Sequence, residues 1–327
     1  MTRIYLISIL IVLAHLSGMA QDPSFSQFYQ ISHWYNPALA GNDEQEVKAG
    51  ILYRRQWAND LNGYKTNAVN AEWAMRKIPF SLGLIILDDK AGNANLKTFN
   101  ALISGSYKQK LDRNQDLSAG MQIGFVQRSI NMDGLKWDAQ YNGFQYDPSL
   151  DNKEREFSNR TGSKFDLAAG VYYKMTKPFE IGVGYAFHHL GQEQTYLQNG
   201  RDKLPIRQAV NIDFRKKFEK FGARVNALVQ RQRGAMEYVV FGRGEYRFGY
   251  DSRYTTENNS SALYVGCGYR HGSAIIPTAG FNWQRKLEVG VSFDIVISKL
   301  NNATGFFGGP ELVLIYRYRT DKRMRLR

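Results

Sequence analysis

Apolar and polar residues alternate with a period of two along much of this chain, and this pattern restricts the possible folds more than any other feature. The clearest stretch runs from Leu287 to Ile297, where every second side chain is apolar and those between are mostly small, polar or charged. Such alternation predicts a β-strand with one apolar face. The apolar faces extend over about ten residues, the length of a tilted strand that crosses a bilayer. Strands of soluble sandwiches are usually shorter, at roughly five or six residues.

The repeated pattern predicts an all-β fold, a transmembrane antiparallel β-barrel of the outer-membrane type, over residues 46–318. A secreted β-sandwich is the alternative. A charge on the lipid-facing side costs about 2–4 kcal/mol at the membrane midplane, so Glu288 and Asp294 are expected to face the lumen. The pattern recurs in about fourteen stretches, an even number that suits a closed single-chain barrel. The strands are expected to start near Glu46, Tyr64, Pro79, Leu96, Gln115, Ser163, Phe179, Ile206, Lys220, Ala235, Ser260, Ser273, Lys286 and Pro310.

Residues 1–20 have the features of a secretory signal peptide. One basic residue, Arg3, precedes an apolar run from Ile4 to Leu16, and small residues follow as far as Ala20. This order of charge, apolar core and small residues is typical of a cleaved signal, with cleavage expected after Ala20. The run is shorter than the ~20 apolar residues that a transmembrane helix needs. An exported chain whose only cysteine is Cys267 has no internal disulfide.

The segment 21–45 lies between the signal peptide and the first strand. Proline interrupts it at two places, which disfavours regular strand pairing, and its aromatic side chains need a surface to pack against. We expect this segment to start on the periplasmic side and to fold into or across the periplasmic mouth of the barrel as a plug. A mobile N-terminus open to proteolysis is the alternative. The residues expected to form the plug or to meet a partner are Phe25, Phe28, Tyr29, Trp34, Asn36 and Pro37.

Basic residues are unevenly distributed in this chain, whose net charge is +13. With a periplasmic N-terminus, the connections after even-numbered strands are periplasmic, and basic residues collect there and in the tail 319–327. This predicts a basic rim that docks an acidic periplasmic partner, or one that is attracted to anionic lipid headgroups. Export argues against nucleic acid as the partner. The predicted rim consists of Arg76, Lys77, Arg215, Lys216, Lys217, Lys220, Lys322, Arg323 and Arg325.

Two further features concern chemistry and loop length. No nucleophile elbow and no zinc-protease helix motif occurs in the sequence, so we expect neither catalysis nor a cofactor or metal. The adjacent His188 and His189 would point to opposite faces of a strand. One connection, residues 249–259, is long where the alternation of short and long connections predicts a short turn.

The exported chain resembles the PorP/SprF family over essentially its whole length, with the most specific motifs at its two ends. The N-terminal likeness rests on Gln21-Asp22-Pro23, on the run from Asn36 to Gly41, and on the run from Tyr53 to Trp57. The C-terminal likeness rests on Val289 to Asp294 and on Gly309 to Leu312. The resemblance implies an outer-membrane barrel of the type IX secretion and gliding-motility machinery. It also implies partners among periplasmic lipoprotein or ring components, or a cognate secreted adhesin.

Two functions remain open from the sequence. The first is a structural anchor that joins the outer membrane to a periplasmic complex or to an adhesin. The second is a passive outer-membrane channel, because fourteen strands enclose a lumen wide enough to conduct unless something fills it. Lumen residues of mixed charge, such as Arg54, Glu72 and Arg224, favour a lumen closed by ion pairs.

Overall fold

The chain folds into a closed antiparallel barrel of fourteen strands in the computed structural model, as the sequence predicts. The structure describes residues 22–43, 45–57, 63–75, 77–92, 96–131, 136–151, 160–191, 204–249, 260–299 and 301–319. The strands are β1 Val47–Gln56, β2 Tyr64–Ala74, β3 Phe80–Ala91, β4 Leu96–Asp112, β5 Gln115–Ile130, β6 Arg160–Met175, β7 Glu180–His188, β8 Arg207–Lys217, β9 Phe221–Gln232, β10 Ala235–Phe248, β11 Ser261–Arg270, β12 Ala274–Trp283, β13 Leu287–Val296 and β14 Phe307–Tyr318.

Each strand pairs with its neighbours in sequence, and β1 closes the barrel against β14. That last pairing runs antiparallel from Val47 opposite Tyr318 to Arg54 opposite Glu311. Closure leaves no unpaired strand edge in the bilayer, where unsatisfied backbone groups would be costly. Among the described residues, none of the helices is both long and apolar enough to cross a membrane.

The two faces of the strands differ as the alternation predicts. In β13, Val289 and Val291 are exposed on the outer face, whereas Glu288 and Asp294 are buried inside the barrel. The single cysteine, Cys267, is exposed and shares the outer face of β11 with Val265. Hydrocarbon can solvate these outer side chains, so the wall needs no further protein layer outside it.

Antiparallel order places the connections at two rims. The short-turn rim carries the turns after β2, β4, β6, β8 and β12, together with the start of β1 and the end of β14. The long-loop rim carries the longest connections, between β5 and β6 and between β7 and β8. These contain described residues 131, 136–151, 189–191 and 204–206. A four-residue helix, α1 (Asn301–Thr304), also lies there. The long connection between β10 and β11 belongs to the short-turn rim, so the strand count does not slip at that point.

Candidate functional site

The N-terminal segment, residues 22–43, lies inside the barrel and is called the plug below. It contains two 3-10 helices, Phe28–Trp34 and Pro37–Leu39. Phe25, Trp34 and Tyr35 are almost completely buried. They pack with lumen-facing apolar side chains, which are Leu52, Ala68, Ile85, Leu87, Leu102, Ala209, Leu228, Val239, Phe241, Val313 and Ile315. This cluster is the apolar core that the hollow barrel would otherwise lack.

Aromatic side chains fix the plug to the wall. The rings of Tyr29 and Phe241 lie 4.8 Å apart, and the Arg207 guanidinium lies 4.8 Å from the Trp34 ring centroid. Arg207 Nη2 also donates to the Trp34 carbonyl over 2.9 Å. Full burial of one large apolar side chain stabilises by roughly 1.5–3 kcal/mol, and a desolvated cation–π contact adds about 2 kcal/mol. The plug therefore binds the lumen through contacts that a mobile segment would not form.

The turn at Asn36 and Pro37 packs directly on the backbone of the wall. Asn36 accepts from the Ala38 amide over 3.0 Å and donates to the Val171 carbonyl over 3.0 Å. A Cβ added to Gly120 on β5 would lie 2.4 Å from the Ala38 nitrogen. Because glycine permits the close approach of another backbone, Gly120 is the contact point that seats this turn.

The beginning of the plug is held near the long-loop rim by a carboxylate. Glu311 on β14 accepts from the Ser26 and Gln27 amides, each over 2.7 Å. Arg54 lies 2.7 Å from Asp294 and 3.6 Å from Glu311, and it also donates to the Ser24 carbonyl. All these side chains are buried, so each charge needs its partners.

A second charged cluster holds Asp22 at the same rim. His189 Nε2 lies 2.6 Å from Asp22, His189 Nδ1 lies 3.0 Å from Asp166, and Arg207 Nη1 lies 3.1 Å from Asp22. Burial alone would raise the pKa of Asp22, but His189 and Arg207 outweigh it and hold that pKa below its usual range. Burial opposes the charge on His189, but the two carboxylates raise its pKa to about 9.

The prediction that His188 and His189 face opposite sides was wrong. The strand β7 ends at His188, and His189 adopts a left-handed conformation with φ 61°. This turn leaves both side chains buried inside the barrel. There His188 Nε2 donates to the Tyr35 carbonyl over 2.9 Å. Both histidines thus contact the plug, which a strand-only reading of their spacing cannot predict.

The His189 cluster predicts that alkaline pH loosens the beginning of the plug. The raised pKa of His189 means that its protonated form stabilises the folded plug. This contribution is complete below the usual histidine pKa of ~6.5 and is lost as pH rises through about 9. Digestion with proteinase K should therefore remove residues 22–27 faster at pH 9.5 than at pH 7. The variant His189→Gln should be cleaved faster already at pH 7, with a much weaker dependence on pH. Equal pH dependence in both proteins would contradict the role of His189.

The plug also forms polar contacts toward the short-turn rim. Glu72 lies 3.0 Å from Lys48 and 3.3 Å from His33, and it accepts from the Gly41 amide over 2.8 Å. Gln30 donates to Glu288 over 2.5 Å. Contacts therefore hold the plug along its whole described length.

The plug is deeper than the sequence predicts. The sequence predicts a segment folded into or across the mouth where β1 begins, but Asp22 and Ser26 contact the opposite end of the strands. The signal for this depth was present in part, because Val239 and Phe241 are apolar residues on a charged lumen face of β10. An apolar pair inside a water-filled lumen would be unfavourable, so it indicates an apolar occupant.

The described residues of the predicted basic rim lie at two separate turns of the short-turn rim. Lys77 is exposed in the turn after β2, and Lys216, Lys217 and Lys220 are exposed at the turn after β8. Six strands separate these turns, so they lie on opposite sides of the short-turn rim. Arg215 is half-buried and lies 3.9 Å from Glu180. The predicted rim residues Arg76, Lys322, Arg323 and Arg325 fall outside the described residues, as does the predicted signal peptide 1–20.

Two adjoining cavities remain beside the plug at the short-turn end. One has a volume of about 120 Å³ and the other about 190 Å³. Arg215, Arg224, Arg243, Arg317 and Asp43 line both of them. These two cavities are small, and their lining is strongly basic.

Comparison with known families gives one match. The model of a family described as type IX secretion system membrane protein PorP/SprF matches residues 17–315. That range includes the whole plug and nearly the whole barrel. No curated protein matches the chain.

Several solved structures resemble the fold at low sequence identity. The toluene transporter TbuX of Ralstonia pickettii is 10% identical, with a TM-score of 0.48 over 89% of this chain and 93% of that one. A FadL homologue of Pseudomonas aeruginosa is 11% identical, with a TM-score of 0.44 over 87% and 93%. The outer membrane protein Omp33 of Acinetobacter baumannii is 10% identical, with a TM-score of 0.42 over 84% and 98%.

Proposed function

Since this chain belongs to the PorP/SprF family of type IX secretion system membrane proteins, we propose that it acts as an anchor of that machinery in the outer membrane. The barrel holds a periplasmic lipoprotein or ring component, or a secreted adhesin, at the membrane. Its role is structural and needs neither catalysis nor a cofactor. A passive channel is the alternative function.

The filled lumen is the observation that carries this proposal. A passive channel needs an unobstructed passage between the two rims, whereas here the plug contacts the wall from Glu311 near one rim to Glu72 near the other. The two cavities beside the plug at the short-turn rim have volumes of only about 120 and 190 Å³. A closed barrel with a rigid interior supports a holding function better than a conducting one.

The short-turn rim is the side that we assign to the periplasm. Bacterial outer-membrane barrels have short turns on the periplasmic side and longer loops outside. The exposed Lys216, Lys217 and Lys220 then face periplasmic components. Their positive charge favours a partner with an acidic surface, both by steering its approach and by rejecting basic competitors.

Neutralising this group of lysines should weaken recovery of the partner. The triple variant Lys216→Gln, Lys217→Gln and Lys220→Gln is expected to lose most of the secretion components that co-purify with the barrel from native membranes at low salt. The reason is that exposed charges act mainly on association and are screened by salt. Quantitative mass spectrometry of the purified complexes provides the measurement.

A matched control neutralises three exposed lysines at the opposite rim, Lys65, Lys90 and Lys136. This variant loses the same charge and should keep its partners. If both triple variants recover the components as well as the unmodified protein does, the docking role of the rim is refuted.

A further inference from the structure

The larger of the two cavities opens at the short-turn rim, between the plug and the ends of β8 to β14. It has a volume of about 190 Å³, which corresponds to on the order of a dozen water molecules. Three acidic side chains, Asp43, Glu245 and Glu288, take part in its lining. The seven basic side chains of the lining are Arg215, Lys217, Arg224, Arg243, Arg247, Arg285 and Arg317.

The carboxylates inside the cavity are shared among several arginines. Glu245 lies 2.9 Å from Arg224, 3.3 Å from Arg243 and 4.0 Å from Arg247. Glu288 lies 2.6 Å from Arg317 and 3.6 Å from Arg243. Four guanidinium groups thus share these two carboxylates. The lining as a whole has seven basic and three acidic side chains, and this excess of positive charge favours an added anion.

Arg243 is held in place to meet such an anion. Its guanidinium lies 4.8 Å from the Tyr29 ring centroid and 5.0 Å from that of Tyr264, and its side chain is almost completely buried. Its Nε has no hydrogen-bond partner among the described residues. A buried donor without a partner costs roughly 1–3 kcal/mol, which a ligand acceptor would recover. Arginine fixed by stacking is well suited to bind a carboxylate.

The cavity also offers acceptors, and these distinguish the class of ligand. Among the described residues, Asn282 Oδ1 is buried without a hydrogen-bond donor, and Ser260 Oγ is buried without any partner. A lipid phosphodiester supplies acceptors to the arginines but has no proton to donate to Asn282, and a free phosphate carries only its one or two O–H groups as donors. A peptide supplies both side-chain carboxylates and backbone N–H donors.

We propose that this cavity receives an acidic peptide segment of a partner protein, with its carboxylates on the arginines and its backbone amides toward Asn282. This inference rests on the proposed function, because it specifies the chemistry of the component that the anchor holds. The volume admits one or two residues of the segment. The exposed Lys217 lies at the opening and extends the positive lining toward the rest of the segment.

The test uses the full chain purified in detergent and a fluorescent decapeptide that alternates glutamate and serine. The fluorescence anisotropy of this peptide should show binding that weakens as the salt concentration increases. The peptide with glutamine in place of glutamate should bind at least tenfold more weakly. The double variant Lys217→Gln and Arg247→Gln should lower the affinity for the acidic peptide about tenfold or more. The matched control neutralises Lys110 and Arg113, which are exposed at the same rim, Lys110 near the end of β4 and Arg113 in the turn that follows.

Three outcomes of the peptide-binding assay would overturn the inference. The first is equal affinity for the glutamate and glutamine peptides. The second is an equal loss of affinity for the acidic peptide in the two double variants. The third is displacement of the acidic peptide by inorganic phosphate at the same concentration as the peptide. The first two refute an anion site in this cavity, and the third refutes a peptide as its ligand. The double variant Lys217→Gln and Arg247→Gln is also tested for recovery of partners from native membranes. If it loses peptide binding but recovers its partners unchanged, the cavity is refuted as the site that holds the partner, while the anchor proposal stands. Peptide binding without any recovery of secretion components would contradict the anchor instead.

Discussion

Deletion of residues 22–41 should convert a barrel that does not conduct steadily into an open pore. The plug lies in the lumen with Phe25, Trp34 and Tyr35 packed on the wall, where it obstructs the passage between the two rims. Without the plug, the fourteen strands enclose a passage wide enough for water and ions. Single-protein recordings in planar bilayers should show a large, steady conductance for the deletion variant and only brief openings for the unmodified chain.

A point variant makes the same test without shortening the chain. In Gly120→Val, the new side chain would collide with the backbone at Ala38, because its Cβ alone would lie 2.4 Å from the Ala38 nitrogen. The plug turn should be displaced and conductance should appear. The matched control is Gly242→Val on the outer face of β10, where an added Cβ meets nothing within 4 Å. Retention of heat-modifiable mobility on a gel verifies that each barrel is folded.

A steady conductance of the unmodified protein, equal to that of the deletion variant, would contradict the closed lumen. It would favour the passive channel over the anchor, since the plug would then not obstruct the passage. Conductance only after deletion would agree with an anchor whose lumen is sealed. The experiment therefore separates the two functions that the sequence alone leaves open.

Most of the barrel could be predicted from the sequence because strand alternation is a local property. The starts of β2, β4, β5 and β10 agree with the predicted residues, and most others differ by one. Two starts differ by three residues. Strand β6 begins at Arg160, in a polar stretch where both faces look alike, and β14 begins at Phe307, where two glycines interrupt the alternation. Pairing with the neighbouring strand extends these ends beyond the local pattern.

The path of the plug could be predicted only in part. Its aromatic residues and prolines indicated a packed segment that is not a strand. Its depth depends on contacts such as Glu311 with the amides of Ser26 and Gln27, which are more than 280 residues away in sequence. No spacing in the sequence encodes such a pair. The lumen-facing Gly120 was a usable signal, because glycine in a strand often marks the close approach of another backbone.

The basic cavity was missed for a related reason. The sequence showed basic residues in periplasmic turns, but Arg243 and Arg224 lie within strands and looked like ordinary lumen charges. Only closure of the barrel brings them together with Arg317 on β14. Among the described residues, a large group of basic side chains thus lies inside the mouth beside the plug, in addition to the exposed lysines of the turns.

Replacement of Glu311 by alanine should release the beginning of the plug while the barrel stays closed. The substitution leaves the Ser26 and Gln27 amides without their acceptor and removes one of the two carboxylates, Asp294 and Glu311, that lie beside the buried Arg54. Removal of one member of a buried ion pair costs roughly 3–5 kcal/mol. In hydrogen exchange followed by mass spectrometry, peptides covering residues 22–27 should therefore lose about 10²–10³-fold of their protection.

The cost of Glu311→Ala should appear at the plug and not throughout the wall. The strands remain paired, and the Asn36 turn keeps its hydrogen bonds to Ala38 and Val171, so peptides from β5 and β6 should exchange as before. The exposed Glu219→Ala in the turn after β8 provides the control for loss of one carboxylate. Unchanged protection of residues 22–27 in Glu311→Ala would mean that apolar packing alone holds the plug. Uniform loss of protection would mean that Glu311 stabilises the barrel itself, because its position on β14 joins the closing pair of strands.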